Sequence, residues 1–242
     1  MTDLATVYAV SVAVNGAALA CLLAWLGRIP NARRQYCYPV VAVVGLSTAT
    51  TALTAAGIGA VTVGDGTLDL VSLVDDLVGY SVLWVITGVL AGESRRTLAV
   101  LAAVPAVQVV SFNVAATLGG PLALVGLLVT VGGHLLIAYL LFGPVWERAQ
   151  RLPDDQRLLH WKARNLLVFL IGMLIVFALI AVAGLFDQFV SAVIGEYMSL
   201  LIRAGFAGFL FANVDAIALD GPGPAQASGD APDRGRAPAG GD

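Results

Sequence analysis

The sequence predicts an all-α membrane protein: a bundle of seven transmembrane helices with the amino terminus outside and the carboxyl terminus in the cytoplasm. Three observations predict this class, namely the apolar composition, seven long apolar stretches and the position of the basic residues. Of the 242 residues, 59% are hydrophobic and only 12% are charged, whereas a soluble domain carries about 25% charged residues. The net charge of −3 gives no indication of a nucleic-acid partner.

Seven stretches are long enough to span a bilayer, because a helix rises about 1.5 Å per residue and needs about 20 residues to cross the hydrocarbon core. The predicted helices cover residues 4–26, 36–60, 70–92, 97–118, 122–143, 166–185 and about 189–219. The first is predicted to be a helix rather than a signal peptide, because no basic segment precedes it and Arg28 follows it. Together the seven form one predicted transmembrane domain over residues 1–219.

The composition changes after residue 219. Residues 220–242 consist of Gly, Pro, Ala, Asp, Ser, Gln and Arg, and they offer no aromatic or branched aliphatic side chain to bury. We predict a disordered, acidic cytoplasmic tail. The acidic tail and the preference for arginine over lysine fit a GC-rich, halophilic prokaryote.

The basic residues fall on one side of the predicted membrane. Ten cations lie in or beside the connections after helices one, three and five: Arg28, Arg33, Arg34, Arg95, Arg96, Arg148, Arg151, Arg157, Lys162 and Arg164. The opposite connections contain aspartates and no cation. Because short loops rich in Lys and Arg stay in the cytoplasm, the pattern predicts a multi-pass protein of the cell membrane with its amino terminus outside.

Four local strings occur in the same order as in a known family. They are RRQY at 33–36, AYLLFG at 138–143, ARNL at 163–166 and RAGFAGF at 203–209. In these strings the chain resembles the microbial rhodopsins, the bacteriorhodopsin-like family, over about residues 1–219. The resemblance implies the seven-helix opsin fold, and it favours a haloarchaeal source.

The resemblance also places an arginine where the family has its reactive lysine. In that family the lysine of the seventh-helix string forms a Schiff base with retinal, and here the position is Arg203. A guanidinium stays protonated and is a very poor amine nucleophile. Lys162 is the only lysine in the chain, and it lies at the predicted cytoplasmic start of helix six. We therefore predict no covalently bound retinal.

Helix three departs from the family at its charged positions. The family's Asp-Trp-x-x-Thr string appears here with Trp84 and Thr87 in place, but Leu83 stands at the position of the primary carboxylate counterion. Tyr80 takes the place of an arginine. By the same resemblance, Ser199 stands where helix seven has its second carboxylate.

Helix six lacks the family's aromatic wall beside the chromophore, since residues 171–175 read IGMLI instead of Trp-x-x-Tyr-Pro. The amine, both counterions and the aromatic clamp are thus absent together. Such a combined loss predicts that covalent retinal photochemistry is gone.

Arg203 is the main candidate site residue, because a cation inside a transmembrane helix costs at least about 2.5–3.5 kcal/mol unless it finds a partner or water. We predict a hydrogen-bond cluster of Arg203 with Tyr80, Ser199 and either Glu196 or Asp76. His134 falls at or beside a position that lines the family's retinal pocket, where it could hold a ligand or donate one interhelical hydrogen bond. The full candidate pocket is Arg203, Tyr80, Trp84, Thr87, His134, Ser199, Glu196 and Asp76.

Three functions stay open on this sequence. The first is a non-photochemical, opsin-like scaffold that acts through another membrane protein or a second copy of itself in the lipid bilayer. The second is a receptor that binds retinal, a carotenoid or another apolar molecule without a covalent bond. The third is ion transport, which Arg203 would direct toward anions. No metal-ligand cluster, phosphate loop or nucleophile with a base indicates an enzyme.

Overall fold

The helices and strands have the following bounds in the computed structural model, which describes residues 4–63, 66–118 and 120–219. In chain order they are α1 (Leu4–Leu26), α2 (Asn31–Ala55), β1 (Ala60–Val63), β2 (Gly66–Asp69), α3 (Leu70–Leu90), α4 (Arg95–Leu118), α5 (Gly120–Phe142), α6 (Pro144–Ala149), α7 (Asp154–Val182), α8 (Gln188–Leu200) and α9 (Phe206–Ala212). A π-helical turn over Leu201–Gly205 joins α8 to α9. The predicted tail, 220–242, lies outside the described residues.

Seven spans in the described part of the chain are long and apolar enough to cross a membrane. Five are the single helices α1, α2, α3, α4 and α7. The fifth span combines α5 and α6, and the seventh span combines α8, the π turn and α9 over Gln188–Ala212. The predicted number of spans is therefore confirmed, and so are the bounds of the first helix.

Three predicted helices have wrong boundaries. The second helix begins at Asn31 and ends at Ala55, not at 36 and 60, because Gly57 follows with a φ of +71°, a conformation that ends helices. The sixth helix begins at Asp154, twelve residues before the predicted start at 166. The seventh span ends at Ala212, not near 219.

A short β-hairpin that was not predicted connects α2 to α3. Its strands pair antiparallel, with Ala60 opposite Asp69. At Gly59, φ is +107° and an added Cβ would lie 2.2 Å from a methyl of Val71, so only glycine fits there.

Asp69, the last residue of the hairpin, is the N-cap of α3. The Asp69 carboxylate accepts hydrogen bonds from the backbone N–H groups of Val71 and Ser72, and from the hydroxyl of Thr54 in α2. These bonds satisfy donors that a helix end leaves free. They fix the outer part of α3 against α2, where the next acidic residues of α3 lie.

The core of the bundle forms where α3 faces the seventh span. Leu83, Trp84 and Leu90 of α3 are buried in the same apolar cluster as Ile202 and Phe206 of the seventh span. Because the π turn adds a residue to one turn of helix, it changes the direction of the side chains that follow. Such turns occur frequently at functional sites, and this one contains Arg203.

Candidate functional site

Arg203 lies at the centre of a buried ion cluster. Its side chain is only 1% exposed, and its Nη2 lies 2.7 Å from Asp76 Oδ1 and 3.1 Å from Asp75 Oδ2. Its Nη1 donates a hydrogen bond to the Ser199 hydroxyl, one helical turn earlier. The guanidinium carbon lies 5.2 Å from the centre of the Tyr80 ring, within the range of a cation–π interaction. We call Arg203, Asp75 and Asp76 the ion triad.

The structure decides between the two predicted acidic partners and adds another. Asp76 pairs with Arg203, whereas Glu196 lines the nearby cavity and makes no ion pair with Arg203 among the described salt bridges. The predicted hydrogen bond to Tyr80 is replaced by a contact with its ring. Asp75 is the partner that sequence reasoning missed.

Adjacent residues of a helix point about 100° apart, so one cation does not ordinarily contact both. Gly79 makes the double contact possible. A Cβ added at Gly79 would lie 3.0 Å from Arg203 Nε, so the guanidinium packs against α3 where a side chain is absent. The missed signal is the sequence Asp75-Asp76 followed by Gly79, which lies one turn after Asp75.

Gly79→Ala should therefore destabilise the protein. The new methyl would push Arg203 away from the two aspartates, at a cost of about 1–3 kcal/mol typical of overpacking. The measurement is the thermal unfolding midpoint in detergent micelles, with Gly132→Ala as the matched control. Gly132 has no atom within 4 Å of an added Cβ, so this control should be neutral or stabilising. Equal midpoints for the two variants would contradict the packing of Arg203 on Gly79.

Asp75 has unused hydrogen-bonding capacity. Its Oδ2 accepts a hydrogen bond from the Ser47 hydroxyl of α2 at 3.1 Å and faces Arg203. Its Oδ1 is buried and has no hydrogen-bond partner among the described residues. The residue is only 7% exposed, so this oxygen is an acceptor that protein groups leave unsatisfied.

A cavity of about 540 Å³ lies next to the ion triad. One side, which we call the polar wall, comes from α2, α3 and the seventh span and contains the cavity's charged residues, Asp75, Asp76, Glu196 and Arg203. The other side, the apolar wall, comes mainly from α4 and α7 and includes Val109, Phe112, Ile171, Leu174, Ile175 and Phe177, with the amides of Gln108 and Asn113 as its polar groups. The volume is within the range of about 300–1,000 Å³ found for small-molecule sites.

The cavity is long as well as large. Its lining residues on α3 run from Ser72 to Trp84, which is a rise of about 18 Å at about 1.5 Å per residue. Trp84, the last of these residues along α3, is 1% exposed. An elongated molecule with an apolar body and a polar end fits this shape.

Solved structures resemble the chain closely in fold. A cyanorhodopsin from the cyanobacterium Tolypothrix has a TM-score of 0.81 at 20% identity, covering 90% of this chain and 100% of that one. A light-driven proton pump from Leptosphaeria maculans has 0.78 at 15%, covering 88% and 96%. A thermophilic rhodopsin from Rubrobacter xylanophilus has 0.78 at 16%, covering 90% and 98%.

The fold is that of the microbial rhodopsins. No protein-family model and no curated protein matches the sequence. With its seven apolar spans, the chain is a multi-pass, opsin-like membrane protein, and the predicted fold class is confirmed.

Two predicted pocket residues lie behind the wall of the opsin-like cavity. His134 and Thr87 are absent from the described cavity lining, whereas Trp84 belongs to it. The His134 ring centre lies 6.5 Å from that of Trp84. Thr87 is fully buried, and its hydroxyl donates to the Leu83 carbonyl oxygen. A contact of either residue with a ligand stays a prediction.

A second cluster, at the other end of α3, was not predicted. The Arg164 guanidinium lies over the rings of Phe142 and Trp146, at 4.3 and 4.7 Å from their centres. The His160 ring stacks on Trp146, and His160 Nδ1 lies 3.0 Å from the Thr87 carbonyl oxygen. This cluster connects α5, α6 and α7 to α3. The sequence alone suggested for Arg164 only a place in a basic connection.

Proposed function

We propose that this protein is an opsin-like receptor that binds an elongated apolar molecule without a covalent bond, with retinal or a carotenoid as the predicted ligand class. The observation that carries the proposal is the long cavity of about 540 Å³ with one apolar and one polar wall. Its position next to the π turn puts any bound molecule beside Arg203. We expect the protein to reside in the cell membrane.

Arg203 supports a non-covalent mode of binding. The resemblance to microbial rhodopsins puts it at the position of the Schiff-base lysine, and a guanidinium does not condense with an aldehyde. Its side chain is also held by Asp75, Asp76 and Ser199. Lys162, the sole lysine of the sequence, is exposed on α7 and is not among the cavity-lining residues that the structure describes.

The charges of the cavity favour a receptor over an anion carrier. Arg203 would attract an anion only if its charge were uncompensated, but two aspartates contact it directly. An anion that reached the guanidinium would therefore meet like charge at short range. The role of accessory scaffold for another membrane protein stays a prediction. A scaffold role would not explain the cavity, because it involves no small-molecule ligand.

The test is a titration of the purified protein with all-trans retinal. We expect a saturable shift of the retinal absorption band, and we expect an organic solvent to extract all the pigment once the polypeptide is denatured. Ala178 lines the cavity, so Ala178→Trp should fill it and abolish the shift. Val176→Trp is the matched control, because Val176 lies on the same helix and is 56% exposed.

Two results would contradict the receptor. The absence of a saturable shift in the native protein would remove ligand binding. Pigment that stays attached to the denatured chain would remove the non-covalent mode.

A further inference from the structure

We infer that the cavity selects a ligand whose polar end is a cation with several N–H donors, such as an ammonium group, and that Asp75 binds this end. The inference rests on the proposed receptor function and adds the chemistry of the ligand's head group. It follows from the charges of the cavity lining, from one unsatisfied carboxylate oxygen and from the hydroxyl groups around it.

The cavity lining carries more negative than positive groups. Asp75, Asp76 and Glu196 line it together with one cation, Arg203. Asp76 lies 2.7 Å from the guanidinium, so this pair is close to neutral. Two more carboxylates remain. Asp75 lies 3.1 Å from the same guanidinium, and Glu196 also lines this cavity of low dielectric constant. Uncompensated charge in such a place is costly, and a bound cation would compensate it.

The geometry at Asp75 shows where the cation would sit. Its Oδ2 already has two neighbours, Ser47 and Arg203. Its Oδ1 has no hydrogen-bond partner in the described chain, although the residue is more than nine-tenths buried. Asp75 lines the cavity, and a rotation of its carboxylate would turn this buried oxygen toward a donor group of the ligand.

The Thr50 hydroxyl provides acceptor lone pairs on the same wall. Thr50 donates its hydrogen to backbone carbonyl oxygens of its own helix, and it lines the cavity together with Asp75. Its oxygen lone pairs can accept from a donor group of a ligand. An ammonium group supplies three donors and no acceptor, which matches this wall. A carboxylate supplies acceptors and a negative charge, so it does not match. A neutral aldehyde such as retinal gains nothing from Asp75, and we expect it to bind through the apolar wall, less tightly than the amine.

The alternative is that bound protons neutralise the acidic groups. A protonated carboxyl group would donate a hydrogen bond, and it would then bind an alcohol as well as an amine. Ligands with the same polyene and different head groups distinguish these cases, because the apolar wall contacts only the polyene that they share. Retinylamine, retinol and retinoic acid form such a series.

The experiment measures the dissociation constants of these three retinoids in micelles, with protein-free micelles as the background. We expect retinylamine to bind at least about tenfold more tightly than retinol, as close charge pairs do, and retinoic acid to bind most weakly. Asp75→Asn should reduce the ratio between amine and alcohol toward one. Asp155→Asn is the control, because it removes an exposed carboxylate at the start of α7. If Asp75→Asn binds neither retinylamine nor retinol, the ratio of their dissociation constants is measured on Glu196→Gln instead, and it should also fall toward one.

The outcomes distinguish this inference from the proposed function. Equal binding of retinylamine and retinol, or a ratio that both variants at the cavity leave unchanged, would overturn the cationic head group while the receptor stands. Saturable binding of none of the three would overturn the receptor itself.

Discussion

Arg203→Lys should convert the protein into one that captures retinal covalently. The new amine would lie beside Asp75, Asp76 and Ser199, the groups that now hold the guanidinium. A lysine amine loses its proton far more readily than a guanidinium and forms Schiff bases with aldehydes. After incubation with all-trans retinal and reduction with borohydride, mass spectrometry should find one retinyl group on this variant and none on the native chain.

The position of the adduct is the decisive readout. Lys162 is present in the native chain, so Lys162→Arg combined with Arg203→Lys leaves a single lysine. This double variant should be labelled as fully as the single one, whereas Lys162→Arg alone should stay unlabelled. Labelling of the native chain at Lys162, or no labelling at residue 203 in either lysine variant, would contradict the predicted geometry.

The same two aspartates should then act on the chromophore. A protonated Schiff base is a cation, and Asp75 and Asp76 already stabilise a cation at this place. We therefore expect the pigment of Arg203→Lys to carry the protonated form at neutral pH. Its absorption band should lie at longer wavelength than the band of retinal bound to the native protein.

The fold could be predicted from the sequence because apolar length and charge position are strong constraints in a membrane protein. Two of the errors, the starts of α2 and α7, occur where polar residues continue a helix beyond the hydrocarbon core. The first turns of α7 are polar, but Gln156 there donates to the Leu90 carbonyl oxygen and accepts from the N–H of Ala218. Contacts between helices thus extend α7, and an apolar window does not detect them.

The site was predicted only in part, for a related reason. Ser199 and Arg203 are four residues apart on one helix, so their contact follows from spacing. The second aspartate depends on the space that Gly79 leaves, which is a property of two helices together. The Arg164 cluster likewise requires rings from α5 and α6. Sequence periodicity describes one helix, and the arrangement across helices needs the structure.

Removing Arg203 alone should destabilise the protein more than removing the whole ion triad. Arg203→Met leaves Asp75 buried and Asp76 half-buried without their cation, and breaking a buried pair costs about 3–5 kcal/mol, most of it at Asp75 because solvent screens Asp76. Adding Asp75→Asn and Asp76→Asn to that variant removes the uncompensated charges. The triple variant should therefore regain most of the lost stability.

Unfolding midpoints in the same micelles measure this difference, with Arg151→Met as the control for loss of an exposed arginine. We expect the control to match the native protein, because exposed charges contribute little. If Arg203→Met were as stable as the control, water in the cavity would have to solvate both aspartates. The triad would then be a hydrated polar surface, and the head-group preference inferred for Asp75 would disappear with it, because solvent would already satisfy Oδ1.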